Sequence, residues 1–303
     1  MIGTPVVLSS AYTFAATAAG ATGTPAEPAM LRTPSGQAML VDDIQLWVKG
    51  QMLTAPAWHE WAINLGRAQL TDGYMPAKLC CRYEDVYKTR ASNLLSRQAY
   101  LWSFARPIYM PRGQVLQIKV RSGVAAGAAT VSIRGRVLRD GDMPVPRRVA
   151  VPYASSFRPG VMTDAAAADP NTYGYKSAVS DLGNPFTSPL NVQRFVMGST
   201  GNETAVAEVD DFWGNAGNVS ALMTAQLQLY HSNGGPIVRD LVKLGEFASF
   251  LRNEWPVNFQ LQPREVVYAT VDQTHTAGTS GTQAGQVGIG MIGWRDVPIS
   301  EVM

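Results

Sequence analysis

Hydrophobic and polar positions alternate in short runs along most of the chain. Ile44-Gln45-Leu46-Trp47-Val48 alternates and stops at Lys49-Gly50. Val115-Leu116-Gln117-Ile118-Lys119-Val120 does so after the turn signal Pro111-Arg112-Gly113, and Thr130 to Val137 does so before Asp140-Gly141-Asp142. Ala225 to Leu229, Val266 to Val271 and Val287 to Met291 continue the pattern. A period of two, punctuated by Gly and Pro, is the mark of half-buried strands. Helical spacing is scarcer: Ile237 to Leu251 carries Leu241, Leu244, Phe247 and Leu251 at steps of three and four, with weaker stretches at Ala57 to Leu65 and Ala91 to Tyr100. The pattern predicts an all-β chain with a few short helices laid over it.

The two halves of the chain read alike. Arg106-Pro107-Ile108-Tyr109-Met110-Pro111-Arg112 leads into Val115 to Val120 and, after a small-residue loop, into Val131-Ser132-Ile133. Trp255-Pro256 to Pro263-Arg264 leads into Val266 to Val271 and then Val287-Gly288-Ile289. Upstream, Ile44 to Val48 matches Ala225 to Leu229. Such a repeat of half the chain length predicts two related β domains. We expect an extended N-terminal arm at 1–35, a first barrel at 36–150 and a second at 151–303. Residues 151–215, rich in Pro, Gly, Asn and Ser, read as a loop-rich bridge in which Arg194 to Met197 and Thr204 to Val209 are the candidate strands. The second barrel needs strands from this bridge; without them, a single jelly roll with a large insertion is the alternative.

Charge changes the picture in two ways. Only 16% of the 303 residues are charged, with 25 Lys and Arg against 23 Asp and Glu, where soluble domains carry about 25%. Such a surface suits a protein whose neighbours cover much of it. The net charge of +2 also hides segregation: the stretch from Lys78 to Arg158 is strongly basic, opposed only by Glu84, Asp85, Asp140 and Asp142, and the rest is acidic. Arg121, Arg134, Arg136, Arg139, Arg147 and Arg148 form the candidate basic interaction face. It suits anionic lipid headgroups, nucleic acid or the acidic part of a neighbouring copy.

Motifs of chemistry are missing. His59, His231 and His275 stand far apart, and Trp58-His59-Glu60-Trp61 lacks the second His of a zinc-protease helix. Gly278-Thr279-Ser280-Gly281 is one residue short of a nucleophile elbow. Gly288 and Gly290 lie inside a strand pattern, where they permit a close approach. The acidic pairs Asp42-Asp43, Glu84-Asp85 and Asp210-Asp211 read as solvated turns, since neighbours on a strand point to opposite faces. The adjacent Cys80 and Cys81 offer no ordinary disulfide geometry, which fits synthesis in a reducing cytoplasm. No run of 18 apolar residues occurs, and Thr and Ser interrupt the apolar stretches before Arg32, so no secretory signal is read. No catalytic, metal or cofactor residue and no small-molecule substrate is expected.

Two tandem β domains behind a short arm resemble the double jelly-roll major capsid proteins of tailless icosahedral viruses, including bacteriophages with an internal membrane. The resemblance covers about 36–303 and rests on the strand, Pro-Arg turn, strand pattern. It implies a structural virion protein, made in the host cytoplasm, that self-assembles as trimers into an icosahedral shell. Its implied partners are its own copies, other virion proteins, and the anionic internal membrane or the genome. The competing expectation is a glycan-binding β-sandwich, receptor-binding or lectin-like, with Trp58, Trp61 and Trp102 as stacking platforms.

Overall fold

In the computed structural model, the described residues are 3–14, 29–34, 36–52, 59–77, 80, 86–87, 95–122, 124–157, 174–199, 225–231, 236–243, 254–275 and 287–303. The alternation read from the sequence becomes strands that bury one face: Leu116, Ile118 and Val120 are buried while Lys119 is exposed, and Val131 and Ile133 are buried while Arg134 is exposed.

The first half contributes β1 (Thr4–Phe14), β2 (Ala29–Arg32), β3 (Ala38–Met52), β4 (His59–Leu65), β5 (Ala68–Gln69), β6 (Met75–Pro76), β7 (Val86–Tyr87), β8 (Leu95–Met110), β9 (Val115–Ser122) and β10 (Val124–Leu138). They form two sheets, ordered β1-β10-β3-β8-β7 and β2-β9-β4-β5, with β6 on β4. The second half contributes β11 (Arg148–Phe157), β12 (Gly174–Gly183), β13 (Leu190–Ser199), β14 (Ala225–His231), β15 (Pro236–Lys243), β16 (Glu254–Leu261), β17 (Val266–His275) and β18 (Val287–Pro298). Its sheets are ordered β11-β18-β13-β16 and β12-β17-β14-β15. In each half the first strand pairs with the last and the second with the last but one. That nesting of antiparallel strands into paired Greek keys is the jelly roll.

The halves repeat in detail. The β8–β9 turn closes with Gln114 N–H donating to the Pro111 carbonyl (3.2 Å), and the β16–β17 turn with Glu265 N–H donating to Gln262 (3.0 Å). Thr33 N–H reaches the Gln114 carbonyl as Asn184 N–H reaches that of Glu265. Met39 faces Met110 as Leu190 faces Leu261, and Val41 faces Ile108 as Val192 faces Phe259. Each equivalence is separated by 151 residues (39 to 190, 110 to 261, 114 to 265), so the Pro111–Pro263 match in the sequence is out of register by one. The position that needs a positive φ is Gly113 in one turn (71°) and Arg264 in the other (66°).

Several expectations are corrected. The expected arm holds β1 and β2 of the first barrel, since β1 pairs along its whole length with β10 and β2 with β9. The strands that the second barrel needs from residues 151–215 are most of β11, with β12 and β13, and Arg194 to Met197 lies in β13. Ile44 to Val48 lies in β3 and Ala225 to Leu229 in β14, which occupy different places in their barrels. Ile237 to Lys243, His59 to Leu65 and Leu95 to Tyr100 are strand, because each is paired by a neighbour; an apolar run at steps of three and four fits a paired strand as well as a helix. Among the described residues no α-helix occurs, and Ile299–Glu301 forms a 3-10 turn. Thr204 to Val209 lies outside the described residues.

The core of the first barrel is built on Trp61, Trp102, Ile44, Leu46, Ile63, Leu116, Ile118 and Ile133, and runs on through Ala154, Val196, Ile292 and Val302 of the second half. The barrels are stitched where Leu70–Asp72 meets Ala154, which donates its N–H to Leu70 (2.9 Å) and accepts from Asp72 N–H (2.8 Å).

Candidate functional site: an ion-paired seam and an arginine-rich end

The feature that organises the first barrel's outer face is a β-bulge. Register slips between Val41 and Asp43 on both sides of β3. Met39 and Val41 point into the core before the slip, Ile44 and Leu46 after it. The extra residue therefore leaves Asp42 and Asp43 both facing outward. Across the sheet Arg134 donates its Nε–H to both Asp43 carboxylate oxygens at 2.9 Å and brings Nη2 to 2.8 Å. Arg136 meets Asp42 through Nη2 at 2.8 Å and Nε at 3.3 Å. The reading of Asp42-Asp43 as a divergent, solvated turn is thus corrected: they converge, and Asp43 is only 6% exposed.

The second barrel carries the same device with other chemistry. Its slip lies between Val192 and Arg194. In both barrels a glycine sits opposite: Gly135 faces Val41 and Gly293 faces Val192. A Cβ on Gly135 would strike the Leu40 carbonyl oxygen, and one on Gly293 would lie 2.5 Å from that of Asn191. Ile292 stands where Arg134 does, Ala154 where Val7 does, and Val196 where Gln45 does. The outer face that is charged in the first barrel is apolar in the second, and there it is buried against the first barrel. Arg106 adds a cation–π contact to this junction, 4.1 Å from the Trp294 ring centroid.

The six expected arginines separate. Arg134 and Arg136 form the seam. Arg139, Arg147 and Arg148 are exposed at the β10–β11 link, where Arg148 donates to the Asp296 carbonyl at 2.8 Å. The Arg121 side chain lies outside the described ones. Sequence reasoning missed Arg32, Arg67, Arg112 and Arg264, which the turns carry to the same end; only the strand order brings them together.

Buried polar groups serve packing. Trp61 donates its indole N–H to Cys80 Sγ (3.1 Å), and burial pushes that thiol up to about 12, partly offset by the Trp61 hydrogen bond and the charge of Arg194. Burial likewise raises the Tyr153 hydroxyl, with Asp72 adding to the effect and Arg295 opposing it. Tyr153 packs edge-on against Phe186 (4.7 Å), and Arg295 lies over the same ring (3.7 Å) while binding Glu301 (2.9 Å). Among the described residues no three His, Cys, Asp or Glu gather as metal ligands. His59, His231 and His275 lie on β4, β14 and β17, and the last two pair with opposite ends of the β12–β14 sheet. The Gly278 to Gly281 segment, Glu84-Asp85 and Asp210-Asp211 lie outside the described residues. So does Trp58, whereas Trp61 and Trp102 are core residues 6.1 Å apart and offer no stacking platform.

Strand order, paired bulges and facing glycines define a tandem, double jelly-roll β protein. No protein-family model matches the sequence, and no curated protein does. Among solved structures, the chain is similar to the major capsid protein P2 of bacteriophage PM2, at 9% identity over 96% of each chain with a TM-score of 0.40. It is similar to PBCV-1 VP54, fitted into a reconstruction of the virophage Sputnik, at 10% identity over 98% of this chain and 95% of that one, TM-score 0.42. The mavirus major capsid protein aligns at 7% identity over 97% and 87%, TM-score 0.32. The fold itself rests on the strand order.

Proposed function

We propose that the chain is a structural subunit of a virion, a major capsid protein whose copies associate as trimers and build an icosahedral shell. One observation carries this reading. The outer face of β11-β18-β13 is buried against a barrel within the chain, while the equivalent face of β1-β10-β3 is open, with Val7 62% and Trp47 44% exposed. That open face is where the second barrel of another copy would dock. Such a head-to-tail contact closes into a ring when its rotation permits, and three two-barrel chains make a ring of six barrels. The low share of charged residues fits a surface covered by copies.

Light scattering of the purified protein tests this, with trimers or larger species expected. Val7→Glu, at an exposed site, is expected to shift the protein to monomers with its circular dichroism unchanged. A strictly monomeric wild-type protein overturns the reading.

A further inference from the structure

Two sheet edges that the fold makes equivalent differ in one respect. β1 and β11 are each the outermost strand of their sheet. Val7 faces Arg134 on β10 as Ala154 faces Ile292 on β18, so Val7 and Ala154 hold the same place. Each follows a proline two positions earlier, Pro5 facing Arg136 and Pro152 facing Trp294. A proline has no N–H to donate, so outward pairing is cut off on that side of both edges. Ala154 is fully buried, because its N–H and carbonyl are taken by Leu70 and Asp72 in a parallel bridge centred on Thr71. Val7 is 62% exposed, and among the described residues β1 is paired by β10 alone.

The register also shows which segment of the second barrel matches Leu70 to Asp72. Asn64 pairs with Gln69 and Trp61 with Met75, as Tyr230 pairs with Pro236 and Leu227 with Val242. Asn64 and Tyr230 face Gln117 and Tyr268, while Trp61 and Leu227 face Val120 and Val271, so the facing residues are again 151 apart (117 to 268, 120 to 271). Counting inward from either pair sets Leu70, Thr71 and Asp72 against Ile237, Val238 and Arg239. These three lie in β15, the outermost strand of its sheet, whose far side is unpaired among the described residues.

We infer that β15 of one copy bridges β1 of another, with Val238 opposite Val7: Val7 N–H donates to the Ile237 carbonyl, and Arg239 N–H donates to the Val7 carbonyl. The inference rests on the head-to-tail reading above and supplies its point of contact. An open strand edge carries unspent donors and acceptors that pair readily with another chain. The occupant is a second copy because each molecule already contains the same joint, made by the matching segment of its first barrel on the matching edge of its second. Side chains differ between the two places, with Val7 for Ala154 and Arg134 for Ile292. What the joints share is backbone, so the contact depends on an amide more than on the side chain that the amide carries.

Val7→Pro tests it, since the substitution removes an N–H that turns away from β10, at an edge position where proline is tolerated, whereas Val7→Ile keeps that N–H. In a dilution series of the full-length protein followed by light scattering, Val7→Pro should associate about tenfold more weakly, the loss of one hydrogen bond. Val7→Ile should match wild type, and the circular dichroism of all three should agree. In a second measurement, Val7→Cys co-expressed with Val238→Cys should give, on mild oxidation, a disulfide-linked pair of chains that neither variant nor wild type gives alone. Should Val7→Pro lose its fold, the cross-link decides. Assembly of Val7→Pro as tight as that of wild type, or no cross-link in assembled protein, overturns the bridge and leaves the shell reading standing. A strictly monomeric wild-type protein removes both.

Discussion

Arg134 and Arg136 are held by carboxylates that the sequence puts more than eighty positions away, and their charge is largely spent inside the molecule. Charge reversal at Arg134 would set a carboxylate against the nearly buried Asp43 and disturb the fold before any surface event. The arginines of the links and turns are therefore the better probes of binding. Cys80 gives a sharper prediction. Its thiol is raised from 9.0 to about 12 by burial, so above pH 9 the unfolded chain loses this proton while the folded chain keeps it. Stability is fully present below about pH 9 and falls by up to ~1.4 kcal/mol per pH unit as the pH climbs toward 12. Urea unfolding of wild type and Cys80→Ala across that range should show the steeper alkaline decline in wild type; parallel curves would refute it. At this scale little was legible in advance. Adjacent carboxylates diverge on a regular strand, and nothing in Val41-Asp42-Asp43-Ile44 announces a bulge until both partner strands are known.

Strands depend on the same bulge. Gly135 and Gly293 let β10 and β18 pass close to the displaced backbone of β3 and β13, and the missing side chain is what the geometry requires. Gly135→Ala and Gly293→Ala should each cost about 2–3 kcal/mol, measured by chemical unfolding, and by similar amounts because the obstacle in each is a carbonyl oxygen. A loss below about 0.5 kcal/mol would show that the strands part easily. Element type was legible where one face is buried and the other wet, as in Val115 to Val120. It was misread at Ile237 to Lys243 and His59 to Leu65, where apolar spacing fitted two periods and pairing decided between them. Repeats were visible through the Pro-Arg turns, but their register was not, because the matched prolines are offset by one position.

At the scale of the whole molecule, the barrels meet at a junction that is apolar and hydrogen-bonded at both margins. Val302 is fully buried against Gly66, and the tail is held by Arg67 and Arg147. Calorimetry should therefore show one cooperative transition. Val302→Asp, which buries a carboxylate without a partner, should lower stability by more than about 3 kcal/mol and split the transition in two; two independent transitions in wild type would show that the barrels are uncoupled. The double-barrel plan was readable from halves of equal rhythm. The end-face chemistry was not, since Arg32, Arg67 and Arg264 are distant in sequence and converge only through the winding of the strands.

Carrying two barrels on one chain also alters the arithmetic of association. Each docking event between separate molecules forfeits roughly 4–15 kcal/mol of translational and rotational freedom. Six free barrels would incur that loss five times in closing a ring, whereas three tethered pairs incur it twice. In the proposed ring, the junction around Ala154, Ile292 and Val302 would thus be a docking step completed during folding, before any second molecule is met.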